Sequence, residues 1–300
     1  METSRPTLDQ RIEEFPAASH EVLRAALLDP APCAVIDAAS VQVLLRVTDF
    51  DIDQLMLALI GAAETYSVAP ISQFYVGSVA WGLSGAIYLG ANMEFRGHVL
   101  NASIHAEQAA VTHAWLHGET GLQALAIGGL PCGHCRQFVN ELSTASTIRL
   151  ITPTGGYSMA EALPDDFGPK HLGNDGGFMQ PEDHGFGTTG APLDNLETVA
   201  LHAASASYAP YSGCHAGVAV RMSTGSVYRG AYIENAAFNP SLSPLHPALI
   251  HINLSTDRTA TIDRVVLVEQ PDAAFSHVSA CQAVLDTMSS VAIEVNHAVG

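Results

Sequence analysis

The chain of 300 residues is strongly acidic, with a formal net charge of −18 and only 12 lysines and arginines. Polyanions would be repelled unless these cations formed a basic stripe, and their scattered positions disfavour nucleic-acid polymers as substrates. Hydrophobic residues make up 48% and charged residues only 14%, which indicates a globular protein with a large buried interface, and hence an oligomer. The chain has no apolar run of about 18 residues and no signal-peptide core at its start, so we expect a cytoplasmic protein with no membrane partner.

The first 60 residues carry helix-spaced apolar positions behind plausible N-caps in three stretches, 7–15, 19–29 and 49–66. The pattern changes after residue 70. Residues 73–95 are predicted to form two strands joined by a hairpin turn at 83–85.

Helices and strands then alternate. The Ala-rich stretch 105–118 and the stretch 131–145 are predicted helices, whereas 122–129 and 147–153 are predicted strands. Residues 168–192 are rich in Gly, Pro, Asp and His, which predicts a linker.

A repeat follows the linker at an offset of 140 residues, counted on the printed sequence. The segment 67–80 matches 207–220, and 85–94 matches 225–234. So many identities in one ungapped register predict two copies of one α/β unit. The identical pairs are Ser67/Ser207, Ala69/Ala209, Pro70/Pro210, Ser72/Ser212, Gly77/Gly217, Gly85/Gly225, Tyr88/Tyr228, Gly90/Gly230, Ala91/Ala231 and Glu94/Glu234.

The second copy lacks a polar motif of the first, which consists of His105, Glu107, Cys132 and Cys135. Residues 104–107 are matched here with 245–248, at an offset of 141, and these contain no glutamate. Cys132 and Cys135 face residues 272 and 275, an aspartate and a phenylalanine. If the motif only held the fold, both copies should need it, so we predict that the first copy alone is active. The predicted parts are an N-terminal helical segment at 1–50, a domain with the motif at 51–167, the linker at 168–192 and a second domain without it at 193–300.

Cys132 and Cys135 stand three apart, behind a proline and ahead of a predicted helix. Both thiols can therefore point the same way at the helix N-terminus, whose dipole favours the thiolate form that binds metal. Alone, this pair is as often a redox pair or a structural zinc knuckle as a catalytic site.

His105 and Glu107 stand two apart and would diverge in the middle of a helix. They can converge only at a helix tip, and Ser103 is a possible N-cap for a helix that begins here. Two helix tips would then aim at one Zn²⁺, with His105 as a ligand and Glu107 free to move protons. Three protein ligands leave one position open for water, as in catalytic zinc sites.

The combination of "HAE" at 105–107 with "PCGHC" at 131–135 matches the signature of zinc nucleobase deaminases. The sequence resembles the cytidine deaminases, in particular their long, homodimeric bacterial type, over nearly the whole chain. Further stretches carry the resemblance: "GANMEF", "HAWL", "PCGHCRQFVNEL", "LPDDFGPKHL" and "ENAAFNP".

The resemblance implies a duplicated three-layer α/β/α fold with a mixed sheet in each half. It implies one Zn²⁺ per chain, held by His105, Cys132 and Cys135, and hydrolytic deamination of cytidine and deoxycytidine to the uridine products and ammonia. Glu107 would be the proton carrier in this pyrimidine-salvage reaction.

Substrate contacts also follow from the resemblance. Asn92 and Glu94 are similar to the pair that binds the ribose hydroxyls, Phe74 to the aromatic residue of the base pocket, and Ala106 to a backbone contact with the pyrimidine. Phe167 resembles a phenylalanine that the partner subunit supplies, which implies a homodimer. Gly129 stands where similar proteins carry a bulkier residue, so the local pocket shape differs.

Two other functions remain open at this point. The same zinc core could act on another nucleobase or on a nucleotide, although Glu94 at the expected sugar position and the negative charge favour an uncharged nucleoside. The chain could also be a non-catalytic zinc or nucleoside-binding module. Such a structural site would want a fourth protein ligand, and His134 is the one candidate nearby.

Overall fold

The computed structural model describes residues 5–28, 34–188 and 193–299, and Cys33 and the last four residues of the predicted linker lie outside these ranges. Two mixed β-sheets frame the described chain, one in each half. The first has the strand order β1-β3-β2-β4-β5-β6 and the second β10-β9-β7-β8. The pairs β4/β5 and β9/β10 are parallel and the other pairs antiparallel, as the α/β prediction requires. The strands are β1 (Val35–Ile36), β2 (Gly77–Gly82), β3 (Ile87–Ala91), β4 (Leu122–Ile127), β5 (Arg149–Thr152), β6 (Gly155–Ser158), β7 (Ala216–Met222), β8 (Val227–Ala231), β9 (Ile262–Glu269) and β10 (Ile293–His297).

Helices cover the sheets. They are α1 (Leu8–Ile12), α2 (His20–Leu27), α3 (Ala38–Thr48), α4 (Ile52–Glu64), α5 (Ala106–Leu116), α6 (Gly133–Val139), α7 (Met159–Ala162), α8 (Asn195–Ser205), α9 (Leu245–Asn253) and α10 (Val278–Leu285). The helices predicted before residue 67 contain α1, α2 and α4. The sequence prediction did not identify α3, and β1 shows that the N-terminal segment predicted to be helical also adds a strand to the first sheet.

Two glycines show why the first unit has three layers. A Cβ on Gly77 would collide with α4 at Ile60, and one on Gly90 would collide with α5 at Ala110. Gly90 pairs across the strands with Ser78, the neighbour of Gly77, so the two glycines face opposite sides of the sheet. Helices α4 and α5 therefore approach the sheet from opposite faces, as the predicted α/β/α architecture requires.

The second unit repeats this arrangement. A Cβ on Gly217 would collide with α8 at Ala204, and one on Gly230 would meet Ala248 of α9. Gly217 and Gly230 are the counterparts of Gly77 and Gly90 at the offset of 140. The predicted duplication is confirmed, and α8 and α9 correspond to α4 and α5.

A glutamate at the same position of each copy holds the corresponding loop in place. Glu94 Oε2 accepts the backbone N–H groups of residues 71 and 72, at 2.8 and 3.0 Å. Glu234 Oε2 accepts those of residues 211 and 212, at 2.8 and 3.1 Å. The identity at this position therefore has a structural reason.

The structure corrects the repeat register after this loop. The bridge between Met93 and Ile104 corresponds to one between Ile233 and Leu242, because the second copy is two residues shorter there. The counterparts of His105 and Glu107 are thus residues 243 and 245, a serine and a leucine, and not members of 246–248. The second copy also begins α10 only at Val278, after a longer loop that contains residues 272 and 275.

The predicted linker is partly packed into the fold. Phe178 is 1% exposed, its N–H donates to Glu141 O, and its carbonyl accepts the N–H of Ser143. A 3-10 helix, Pro169–Leu172, precedes this stretch. Residues 169–179 thus join the body of the protein.

The two copies pack against each other through α5 and α9. The Gln108 side chain on α5 donates to Pro240 O at 3.0 Å, and the Asn253 side chain on α9 donates to Tyr66 O at 2.8 Å. One hydrophobic core runs through both copies and includes α5, α9 and strands of each sheet. The helix that begins at the HAE motif is therefore buried between the two units.

Candidate metal centre and active site

Two helix tips bring the three predicted ligands together. His105 Nδ1 lies 3.5 Å from Cys132 Sγ and 3.2 Å from Cys135 Sγ, and the two sulfurs are 3.4 Å apart. Both thiols are free. Within the described residues, these three form the one group of histidine, cysteine and carboxylate side chains close enough to hold a metal ion.

The donor set fits Zn²⁺. One imidazole and two sulfurs are the ligands that zinc prefers, and they converge here within 4.8 Å of one another. Since no fourth protein ligand joins the group within the described residues, a tetrahedral ion would keep one position for water.

His105 reaches the site because it is the N-cap of α5. Its backbone is extended, at φ −84° and ψ 155°, and its N–H donates to Gln108 Oε1 at 3.1 Å. The predicted N-cap, Ser103, was wrong: it lies two residues before the cap and lines the cavity described below. Capping by Gln108 leaves the His105 ring free to turn toward the two cysteines.

Cys132 is the N-cap of α6, and its Sγ accepts the N–H of Cys135 at 3.4 Å. Hydrogen bonds from the Cys135 thiol and from His105 lower the pKa of Cys132 to about 3. A thiolate is therefore favoured at neutral pH, which is the form that ligates metal.

Glu107 lies in the first turn of α5 and is 5% exposed. Burial raises the pKa of its carboxyl, although hydrogen bonds and His105 oppose this effect. It borders the same cavity as His105 and Cys132 but is not part of the ligand group. Its position suits a group that exchanges protons.

His134 stacks on the ring of His105, with centroids 4.9 Å apart and an interplanar angle of 30°. It is not part of the metal-ligand group. Burial lowers the pKa of His134, so its ring is mainly neutral at pH 7. Its role is to pack against a ligand.

A cavity of about 580 Å³ opens in front of these residues. Its wall comes from the loop after α4, the end of β3, the tip of α5 and the loop between β4 and α6. No lysine or arginine is among the lining residues of the described chain: Glu64, Ser72, Phe74, Tyr75, Val76, Asn92, Glu94, Ser103, Ile104, His105, Ala106, Glu107, Ile127, Gly128, Gly129, Leu130 and Cys132.

Four of the five residues predicted to contact substrate border this cavity, namely Phe74, Asn92, Glu94 and Ala106. Phe74 is 71% exposed. Asn92 Oδ1 accepts the N–H of Val76 at 2.9 Å, and its Nδ2 donates to Phe74 O at 2.9 Å. Asn92 thus shapes the loop that carries Phe74.

Phe167, the fifth, does not border the cavity of its own chain. It is 46% exposed and stacks on His171, with centroids 5.4 Å apart. Its carbonyl accepts a hydrogen bond from Gln137 on α6 at 2.7 Å.

Sequence reasoning missed several residues of the site, among them Tyr75, Leu130 and Gln108. Tyr75 and Leu130 also line the cavity, and Gln108 sets the start of α5. Gln108 could have been found, because a Gln three residues after a cap is a capping-box signal. Tyr75 and Leu130 give no signal beyond being apolar residues in loops. Gly129 has open space around an added Cβ, so the pocket accepts a larger side chain there.

The chain matches two family models with the same description, "Cytidine and deoxycytidylate deaminase zinc-binding region", over residues 51–150 and 159–282. It is 44% identical to the cytidine deaminase of Aliivibrio fischeri over 287 residues, which cover 94% of this chain and 96% of the relative. The chain belongs to the cytidine and deoxycytidylate deaminase family. Zinc is the metal of this family, so the predicted cofactor is confirmed.

Other members of the family are similarly close. The cytidine deaminase of Vibrio cholerae is 42% identical over 95% of this chain and 96% of its own length, and that of Serratia proteamaculans is 44% identical over 93% and 95%. The crystal structure of cytidine deaminase from Mycobacterium tuberculosis is 29% identical over 39% of this chain and 99% of its own, with a TM-score of 0.37. In the present chain, no helix within the described residues is both long and apolar enough to cross a bilayer.

Proposed function

We propose that the protein hydrolyses cytidine and deoxycytidine to uridine and deoxyuridine, with release of ammonia. The observation that carries this proposal is the convergence of His105, Cys132 and Cys135 beside the buried carboxyl of Glu107, in a cavity large enough for a nucleoside. His105, Cys132 and Cys135 would hold the Zn²⁺, which would supply the Lewis acid needed to activate water for attack on C4 of the pyrimidine.

Glu107 moves the protons of this reaction. Its carboxylate takes a proton from the attacking water, gives it to N3 of the ring, and later assists the departure of the 4-amino group as ammonia. Burial favours the protonated form, so the group can hold the proton between these steps. The second copy carries a leucine at the corresponding position 245 and has no part in the chemistry.

The remaining cavity residues position the nucleoside. Asn92 and Glu94, at the end of β3, would bind the ribose hydroxyls, and Phe74 would contact the base. The Ala106 backbone at the tip of α5 would read the pyrimidine edge. The catalytic part of the chain is then 51–167, and 193–300 is the metal-free part.

An uncharged nucleoside suits the cavity better than a nucleotide. Three carboxylates border it, at Glu64, Glu94 and Glu107, and the described residues provide no lysine or arginine there. A phosphate group would meet no charge-assisted donor and would be repelled by these side chains.

The proposal includes a homodimer whose partner completes the site. Phe74 and Leu130 form an exposed apolar patch in the cavity wall, at 71 and 69%, and Phe167 and Phe238 are also exposed, at 46 and 64%. Such a patch favours association. Phe167 of the partner subunit would then stack on the base, and the assembly would work in the cytoplasm.

The test is the loss of cytidine absorbance on adding purified protein, with CMP as the matched substrate and a chelator-treated sample as control. We expect cytidine to be consumed, CMP to react at least 100-fold more slowly, and chelation to stop both reactions. A preference for CMP would show that the substrate is a nucleotide and not a nucleoside. A protein that contains zinc but releases no ammonia from either substrate would be a binding module.

A further inference from the structure

A second cavity, of about 180 Å³, lies at the free edge of the second sheet, away from the metal centre. Its wall combines both copies: Trp115 and Thr120 from the end of α5, Ala203 and Ala206 from α8, and Arg229 from β8. Apolar surface predominates in this wall. None of these residues borders the cavity that contains Glu107.

The duplication shows what fills the same place in the first copy. Ala206 is the counterpart of Tyr66 at the offset of 140, and the Tyr66 side chain is 5% exposed. Its hydroxyl donates to Leu27 O at 3.3 Å, and the guanidinium of Arg258 lies 5.4 Å from its ring centre. The first copy thus contains a phenol ring where the second has a methyl group.

The surroundings correspond as well. Tyr88 donates to Glu119 and Tyr228 donates to Asp257, which fixes the offset of 138 for the ends of α5 and α9. By this offset Trp115 and Thr120 are the counterparts of Asn253, whose side chain donates to the Tyr66 carbonyl, and of Arg258, whose guanidinium lies over the Tyr66 ring. The cavity therefore lies at the place in the second copy that corresponds to the surroundings of Tyr66 in the first.

The sheet edge beside the cavity is also free. In the first copy β1 covers β3, and Leu89 N–H donates to Ala34 O. In the second copy β8 is the last strand of its sheet, and the N–H of Arg229, the counterpart of Leu89, points outward by the alternation of the ladder. Within the described residues Arg229 has neither a hydrogen-bond acceptor for this N–H nor an ion-pair partner for its guanidinium.

The two carboxylates in the same wall already have partners. Glu119 accepts hydrogen bonds from Ser84 and Tyr88, and Glu182 Oε2 lies 3.1 Å from His184 Nε2. Arg229 is thus the one charged group of the wall that still offers unused donors within the described chain.

We propose that this cavity binds a small molecule that has a phenol-sized aromatic ring and a carboxylate. The ring would occupy the space left by the missing tyrosine, and the carboxylate would accept hydrogen bonds from the guanidinium and the N–H of Arg229. Apolar cavities of about 150 Å³ are known to take up benzene-sized molecules, so the volume suits this class.

The probes are 4-hydroxyphenylacetate, which has the ring and the carboxylate, and p-cresol, which has the ring alone. Trp115 borders the cavity, and the chain has 2 tryptophans, so the Trp81→Phe variant reports from Trp115 only. We expect both probes to change its emission saturably, with 4-hydroxyphenylacetate binding roughly tenfold more tightly because of its charge-assisted hydrogen bonds.

Two variants separate the parts of the proposal. Ala206→Tyr restores the residue of the first copy, so it should abolish binding of both probes while cytidine turnover and the melting temperature are retained. Arg229→Leu also introduces the residue of the first copy. It should abolish the roughly tenfold preference for 4-hydroxyphenylacetate over p-cresol and leave the affinity for p-cresol unchanged. Absence of any saturable response in the parent protein, or an unchanged response in Ala206→Tyr, would overturn the proposal. Equal affinities of the two probes in the parent protein would overturn the role of Arg229.

Discussion

The two halves of this molecule share a scaffold and differ in chemistry. Both have a glycine beneath each covering helix, at Gly77 and Gly90 and again at Gly217 and Gly230. In both, a glutamate also holds the loop that follows α4 or α8. Within the described residues, only the first places a histidine and two cysteines together, at the tips of α5 and α6.

The difference separates two kinds of residue that a single copy would not distinguish. A residue that is present in both copies, such as Glu94 with its counterpart Glu234, has a structural role in the fold in addition to any other function. A residue present only in the first copy, such as Glu107 or Cys132, is not needed for the scaffold. The following predictions test this separation.

Cys132→Ala should have the largest effect, with loss of bound zinc and of all measurable deamination. Two remaining ligands hold the ion too weakly, whereas the fold does not depend on this exposed side chain. Metal content by mass spectrometry, together with circular dichroism, checks this result. Cys214→Ala, in the second copy, is the matched control and should keep full metal content; equal zinc in both variants would show that Cys132 is not a ligand.

Glu107→Gln should retain zinc and lower kcat by about 10³-fold, because the proton carrier is lost and the shape is kept. The matched control is Glu269→Gln, which alters a buried carboxylate of the second copy that accepts hydrogen bonds from Ser276 and His277. Its turnover should stay within twofold of the parent protein. A kcat for Glu107→Gln close to that of the control would remove this residue from the mechanism.

Gly90→Ala and Gly230→Ala should each lower the free energy of unfolding by about 3 kcal/mol, since the new methyl group would collide with the backbone of α5 or α9. Urea titration measures this loss. Gly129→Ala, with nothing within 4 Å of an added Cβ, should cost less than about 0.5 kcal/mol. A large loss in only one copy would break the claim of a shared scaffold.

Glu94→Gln and Glu234→Gln should each cost about 1 kcal/mol of stability, because each weakens the same loop contacts. Only Glu94→Gln should also raise the KM for cytidine, by roughly tenfold, if this carboxylate binds the ribose. Steady-state kinetics on both variants gives the comparison. Equal KM values would leave Glu94 with a structural role alone.

The stability part of this prediction depends on pH. Burial opposes ionisation of Glu94, but hydrogen bonds from Ser72 and Ile71 hold the pKa of the folded state below its usual value. Its stabilising contribution is therefore fully present above the unfolded-state pKa and is lost as the pH falls through the folded-state pKa. The difference in unfolding free energy between the parent protein and Glu94→Gln should shrink in acid.

Much of the site could be predicted from the sequence because its chemistry dictates residue types and spacing. A histidine before one helix and two cysteines at the start of another can share a metal only if both helices point at it, and His105 and Cys132 do so. The duplication was equally readable, since glycines under close helices tolerate no replacement.

Other features depend on packing that no short motif records. The two-residue shortening before α9 moves the counterpart of Glu107 to residue 245, and only the strand bridges show this shift. The buried Phe178 lies in a stretch whose composition is typical of a linker. The second cavity is visible only when Ala206 is compared with Tyr66 in the folded molecule.

The hydrogen bonds that α5 and α9 each donate to the other copy have a consequence for the behaviour of the enzyme on dilution. Gln108 and Asn253 each donate to the other copy, so the helix that bears Glu107 is supported by the second unit. Because a peptide chain tethers that unit, its effective concentration is set by the chain and not by the amount of protein in the cell. The support for α5 therefore does not depend on protein concentration, which is an advantage of having the second unit in the same chain.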